Sequence, residues 1–237
     1  MPTLKSLVKK ILPAKRSGNK KESYSQSGED LIVRFVFDVL QVAKPTYLDV
    51  GAHHPFYLSN TALFYSQGCR GINIEPDPIL FKAFIKHRPK DINLNIGIGT
   101  EAGEADFYII SSPTLNTFSK QEAEGYKNEG DYTITQTIKT RIDCIKNIID
   151  ANYKGVFPQY LNLDAEGVDE MIVRSIDYAN NYPLVMCIET ISFSTSGNGV
   201  KNARLIDFVT ANGYMVYADT YINTIFVRTD AFRRQQA

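Results

Sequence analysis

Apolar positions along this chain fall into two alternating spacings. Leu31, Val33, Phe35, Val36, Val39 and Leu40 recur at near-helical intervals and predict a helix over 26–40, with Ser27 as its cap and Glu29 and Asp30 in its first turn. A short apolar run over 46–51 then reads as a strand, and Ser59 or Asn60 can open a helix that Gly68 stops. The same alternation continues with strands over 71–75, 92–98, 160–164 and 184–190 and helices over 78–86, 143–151, 169–176 and 201–212. Segments 104–110 and 132–142 are rich in β-branched residues and read as further strands, separated by a polar stretch, 111–131, of no clear pattern. The chain closes with strands over 214–219 and 221–228, near enough for a hairpin.

Strand alternating with helix predicts an α/β fold, a doubly wound and mostly parallel sheet whose last two strands add an antiparallel edge hairpin. One domain is expected over 23–237, preceded by a basic segment at 1–22. That segment changes the charge picture. The 237 residues balance to zero net charge, yet the first 21 hold seven Lys and Arg and no acid. Two readings stand for it. Leu4, Leu7, Val8 and Ile11 at helical spacing suit a short helix on an anionic membrane surface through residues 1–12. Pro13, Ser17 and Gly18 suit a solvated tail.

The remaining bulk properties exclude more than they assign. With 43% hydrophobic and 22% charged residues, the chain reads as an ordinary globular protein, and neutral overall charge gives no sign of a nucleic-acid partner. No apolar run approaches the roughly 18 residues of a membrane span. Cys69, Cys144 and Cys187 form no CxxC pair, which fits a reduced, cytoplasmic protein, resting on the inner membrane surface if the basic helix docks there.

Candidate chemistry lies where the strands end, because open parallel sheets bind ligands outside their carboxyl edge. Strand 46–51 ends in Asp49, Gly51, His53 and His54; strand 71–75 ends in Glu75 and Asp77. Strand 92–98 carries Asn95 and Gly97, strand 160–164 leads into Asp164 and Glu166, and strand 184–190 ends in Glu189 and Thr190. The first turn lacks the G-x-G-x-x-G that lets bare backbone approach a pyrophosphate. Glu75 follows Gly51 by 24 residues, at the place where an acid bonds a ribose diol. A nucleoside cofactor with a ribose and no phosphate is S-adenosylmethionine, and Asp49 and Asp30 suit its cationic methionine end. Asn95 is placed to meet its adenine or ribose.

Seven stretches carry a resemblance: YSQSGED (24–30), DVGAHHP (49–55), GINIEPDP (71–78), DINLNIGIG (91–99), LNTFS (115–119), LDAEGVD (163–169) and YADTYINTIF (217–226). In this order they resemble the FkbM-type methyltransferases, from about residue 24 to 228. The resemblance implies a class I methyltransferase fold, Rossmann-like with a seven-stranded sheet. It implies S-adenosylmethionine as donor and a sugar or polyketide hydroxyl as acceptor. Within the matching stretches, Gln26, Asp30, Asp49, Gly51, Ala52, Glu75, Pro76, Asn95 and Gly97 become the donor-binding set.

A sugar hydroxyl needs its proton removed as the methyl arrives, so a base is required. The candidates are His53, His54, Asp164, Glu166 and Glu189. Only one of two adjacent histidines should face the acceptor, with His54 slightly favoured. Asp164 with Glu189 also offers oxygen ligands for Mg²⁺ or Mn²⁺. The loop over 115–130, with Phe118, Tyr126 and Lys127, reads as a lid, and Asn223, inside an apolar strand, needs a buried partner. The acceptor expected is a nucleotide sugar or a surface polysaccharide. Two rival readings are a nicotinamide-dependent oxidoreductase, which the missing glycine motif opposes, and a non-catalytic binding protein docked to membrane.

Overall fold

The computed structural model describes residues 21–165, 167–192, 194 and 198–234. The expected membrane helix at 1–12 and the candidate Glu166 lie outside the described residues. The first helix, α1, spans Glu29–Val39, followed by β1 at Tyr47–Val50, α2 at Ala62–Ser66, β2 at Gly71–Ile74 and α3 at Pro78–His87. Next come β3 at Ile92–Leu94, β4 at Gly97–Ile98, β5 at Gly103–Ile110, α4 at Lys120–Glu129 and β6 at Ile134–Asp143. Helix α5 at Ile145–Tyr153, β7 at Tyr160–Leu163, α6 at Asp169–Arg174 and β8 at Val185–Glu189 complete the parallel part. Helix α7 at Ala203–Ala211, β9 at Tyr214–Asp219, β10 at Asn223–Arg228 and α8 at Thr229–Arg234 end the chain.

The main sheet has seven strands in the order β3-β2-β1-β7-β8-β10-β9. All pairs among the first five are parallel, and β10 runs antiparallel to both β8 and β9. The order reverses between β1 and β7, which makes that junction the topological switch point.

Period-two alternation sorts each strand onto two cores. Leu48 and Val50, Ile72 and Ile74, Leu161 and Leu163, and Met186 and Ile188 face one way, against Ile148 of α5, Val173 of α6 and Val209 of α7. Tyr47, Tyr160, Val185 and Cys187 face the other, against Val36 and Phe37 of α1, Phe64 of α2 and Phe232 of α8. The polar residues obey the same alternation. Asp49 pairs in register with Asn73 on one side and Asn162 on the other, so three central strands carry a buried polar seam on the second face.

Several expected elements shift. Strand 92–98 breaks in two: β3 stays in the main sheet, while β4 joins β6 and β5 in a separate three-stranded sheet. The break falls at Asn95, whose side-chain amide turns back to the carbonyls of Glu75 at 2.8 Å and Pro76 at 2.9 Å. The polar stretch 111–131 holds a 3-10 turn at Pro113–Leu115 and then α4, which Ser119 caps by accepting from the Glu122 N–H at 3.2 Å. Helix α1 begins after Gly28, whose φ of +88° is left-handed, so Ser27 is not its cap. Strand β10 starts two residues late because Tyr221 turns left-handed at φ +76°. The terminal helix α8 carries no strong periodic signal and was not expected. Among the described residues, no helix is long and apolar enough to cross a membrane.

Candidate active site

A cleft of about 480 Å³ opens over the carboxyl ends of β1, β2, β7 and β8, roofed by the second sheet. Its floor depends on one close approach. The N–H of Gly51 donates to the Ile74 carbonyl at 3.1 Å, and the turn lies against the backbone entering Asp164. A Cβ on Gly51 would stand 1.7 Å from the Asp164 carbonyl oxygen, and its φ is +74°, so no side chain fits there. Gly97 does similar work on the roof, where a Cβ would meet the Phe118 ring at 2.2 Å.

Glu75 is buried at the end of β2. Its Oε2 accepts from the His53 N–H and its Oε1 from the Asp77 N–H, both at 2.7 Å. Burial pushes its carboxyl up to about 8, against those two N–H bonds, and the nearby Asp77 and Asp49 push the same way. Each oxygen keeps a lone pair for a further donor. Asp77 extends the arrangement: its Oδ1 caps α3 at the Ile79 N–H, 2.7 Å away, and its Oδ2 accepts from Asn116 of the roof at 3.0 Å.

Asp164 and Glu189 meet across β7 and β8, whose register sets Leu163 beside Ile188. Their side chains hydrogen-bond. Two carboxyl groups in contact at the cleft floor share one proton. Burial pushes Asp164 up to about 7, the Asp169 and Asp49 charges add to this, and the bond to Glu189 works against it.

The structure brings many of the expected residues together. Gln26, Asp49, Gly51, Ala52, His53, Glu75, Pro76, Gly97, Asp164 and Glu189 all line the cleft. Three others do not, each for a local reason. Asp30 folds the entry segment instead, accepting from the hydroxyls of Ser23 at 2.6 Å and Ser25 at 3.0 Å and from the Tyr24 N–H at 2.8 Å. Asn95 holds the Glu75–Pro76 backbone from behind, so the expected adenine contact is replaced by a positioning one. His54, favoured over its neighbour, holds the turn: its Nδ1 accepts from Phe56 N–H at 3.1 Å and Tyr57 N–H at 2.8 Å. His53 is the histidine that lines the cleft, and burial, then the adjacent His54, lower its pKa despite Asp77, so its imidazole is neutral at pH 7.

Asp49 is held differently from a turn-forming carboxylate. It accepts from the Thr61 hydroxyl and from the Asn162 amide at 2.8 Å. Beneath it lies Arg88, which is wholly buried. Arg88 donates to Asp91 at 2.9 Å, to the Tyr47 hydroxyl at 2.8 Å and to the Thr61 hydroxyl at 3.0 Å. Burial raises the Asp49 carboxyl, and the Arg88 guanidinium is the main charge opposing that. Asn223 finds its partner in Glu29, at 3.2 Å.

Asp77, read from the sequence as a strand-end acid, also carries a helix-start signal directly before Pro78, whereas two residues of the site were missed. Arg88 and Asn116 had no such signal. The two carboxylates expected for Mg²⁺ or Mn²⁺ are adjacent, and no group of three or more His, Cys, Asp and Glu side chains poised for a metal is found among the described residues.

A mostly parallel seven-stranded sheet with an antiparallel closing hairpin, an acid ending β2 and a first turn without the G-x-G-x-x-G motif is the class I methyltransferase fold. The chain belongs to the FkbM methyltransferase family: the model for the methyltransferase FkbM domain matches residues 49–216. Among solved structures it is similar to the methyltransferase FkbM from Methylobacillus flagellatus KT, with 14% identity and a TM-score of 0.42 over 90% of this chain. The chain spans 46% of that protein's length. It is also similar to a precorrin-6Y C5,15-methyltransferase from Geobacter metallireducens GS-15, at 12% identity and a TM-score of 0.40, over 90% of this chain and 91% of that one. No curated protein matches the chain.

Proposed function

We propose that this protein transfers a methyl group from S-adenosylmethionine to a hydroxyl of a sugar, carried on a nucleotide or in a surface glycan. The observation that carries the reading is the hydrogen-bonded Asp164–Glu189 pair in the same cleft that Gly51 and Glu75 line. The cleft fits the donor because Gly51 lets the first turn pack directly on the Asp164 backbone that floors it, and Glu75 presents a carboxyl held by two backbone N–H groups. Glu75 would accept the ribose hydroxyls, and Asp49, with its charge sustained by Arg88, would face the methionine ammonium. When bound, S-adenosylmethionine supplies a methyl group already activated on a sulfonium. The protein then has to hold the acceptor in line and take its proton. Asp164, with its pKa near 7, is matched to that task, and the neutral imidazole of His53 stands ready as an acceptor contact.

Isothermal titration of the protein with S-adenosylmethionine and its demethylated product tests the donor; absence of both heats would sink the reading, and binding of a nicotinamide dinucleotide instead would favour an oxidoreductase. A screen of nucleotide sugars and sugar oligomers with labelled donor, read by mass, tests the acceptor. Glu75→Gln should weaken donor binding about 2- to 10-fold at pH 7, since a hydrogen bond to a neutral group contributes about 0.5–1.5 kcal/mol. An unchanged Kd in that variant would remove Glu75 from the ribose.

A further inference from the structure

We propose that Tyr221 is the platform of the acceptor subsite, stacking against the face of a neutral sugar ring whose hydroxyl reaches the Asp164–Glu189 pair. This rests on the methyl-transfer reading and gives its acceptor a chemical class. Tyr221 lines the cleft and is 54% exposed, a large aromatic side chain accessible from the cleft. Its place in the fold sets its aim. Asn223 pairs in register with Glu189, and the Thr190 N–H donates to the Ile222 carbonyl at 3.0 Å. Tyr221 therefore stands just past the strand end that carries Glu189.

The backbone there is strained by design of the surrounding contacts. Tyr221 is left-handed at φ +76°, a region that non-glycine residues rarely adopt. The turn is clamped on both sides. The Tyr221 N–H donates to Asp219 at 2.7 Å, and Lys201 donates to the same Asp219 oxygen at 2.9 Å. The neighbouring Thr220 hydroxyl donates to Glu29 at 2.7 Å, and Glu29 is wholly buried. A glycine would sit in this turn without strain, so the tyrosine is held for its side chain.

The surroundings suit a neutral ring. Leu58, Ile191 and Ile222 also line the cleft, and Ser192 and Ser194 add hydroxyls, the mix of apolar faces and sparse polar groups that recognises small ligands. Four carboxylates, Asp49, Glu75, Asp164 and Glu189, line the cleft, and among the described lining residues there is no Lys or Arg. A carboxylate on the acceptor ring would find no cationic partner among these residues, while a neutral ring offers a C–H face to the aromatic platform.

The test uses Tyr221→Ala, Tyr221→Phe and Tyr221→Gly in the full chain, with neutral oligosaccharides and matched uronic-acid acceptors. Loss of the ring should raise the acceptor KM about tenfold or more, equivalent to about 1.4 kcal/mol, in both the Ala and Gly variants. Phe should stay close to wild type, and the donor Kd should be unchanged in all three. Glycine should also raise the melting temperature, so its loss of acceptor affinity cannot come from a damaged turn. A wild-type KM in the Ala variant, or full rescue by Gly, would overturn the platform. Equal kcat/KM for uronic-acid acceptors would overturn the neutral class. Saturation-transfer NMR with methyl glycosides, without donor, separates the two readings. Glycoside contact present in wild type and lost in Tyr221→Ala supports the platform even if no methylated product forms, a result that would sink only the methyl-transfer reading. No contact with any glycoside in wild type overturns the platform.

Discussion

Asp164→Asn should lower kcat by about 10²–10⁴, the usual worth of a positioned base, while leaving donor affinity nearly unchanged. Asparagine keeps the shape of the side chain and can still bond Glu189, so the Gly51 turn keeps its packing against the Asp164 carbonyl. What it loses is the ability to take a proton. The pH profile makes the test sharper. In the wild type the active base is the ionised carboxyl, and burial holds that group at about 7. Turnover should therefore climb about tenfold per pH unit below that value and level off above it. The midpoint belongs to the Asp164–Glu189 pair, which titrates as a unit. The variant should lose the rising limb.

Stability provides an independent check with its own sign. A carboxyl whose folded pKa is raised keeps a proton that the unfolded chain releases at about pH 4. Between there and about pH 7 the folded state binds more protons, so this group's contribution to stability falls as pH rises through that window. Asp164→Asn cannot ionise, and should gain melting temperature relative to wild type above pH 7. Full turnover by the variant, with its rising limb intact, would assign the proton to another group, and His53 would be next in line.

The sequence made the sheet and its active edge legible because both depend on local rules. Period-two alternation in 47–50, 71–74, 160–163 and 185–188 fixed which faces are buried, and the interruptions at Asp49, Glu75, Asp164 and Glu189 marked the strand ends. These residues did meet in one cleft. What stayed hidden depends on contacts distant in sequence. The break between β3 and β4 is invisible in a continuous apolar run, because it is made by Asn95 reaching the backbone after β2. Asp30 and His54 looked like site residues by type and position, yet both are occupied in folding the chain around the site. The choice between His53 and His54 turned on backbone geometry, since only His53 sits left-handed, at φ +53°, with its N–H on Glu75. Tyr221 lies in a segment that reads as ordinary strand. Its role rests on a left-handed backbone that composition does not encode.

Arg88 is the clearest residue of this hidden kind, and its removal should have the largest effect on stability. In sequence it sits among His87, Pro89, Lys90 and Asp91, a stretch that reads as a solvated loop. In the fold it is wholly buried, ion-paired to an equally buried Asp91 and bonded to Tyr47 and Thr61. Arg88→Met deletes the only partner that neutralises Asp91 by direct contact among the described residues, and leaves Asp49 without the main charge that offsets its burial. Breaking a buried pair from one side costs about 3–5 kcal/mol. For a domain of this size that is about 6–20 °C in melting temperature. Arg88→Lys should recover little, because an ammonium cannot span three partners set out for a planar fork. Arg88→Met combined with Asp91→Asn should recover more, since it removes the stranded charge along with its partner. Donor binding extends the argument to the site. Without Arg88, burial pushes Asp49 further toward its neutral form, and the group facing the donor's ammonium loses charge. Arg88→Met, alone or with Asp91→Asn, should therefore bind donor more weakly at pH 7 even at temperatures where it remains folded, and raising the pH should restore part of the affinity. Calorimetry across pH 6–9, beside thermal melts of the same samples, checks both halves. A melting point within about 2 °C of wild type would mean that the guanidinium contributes little to the fold.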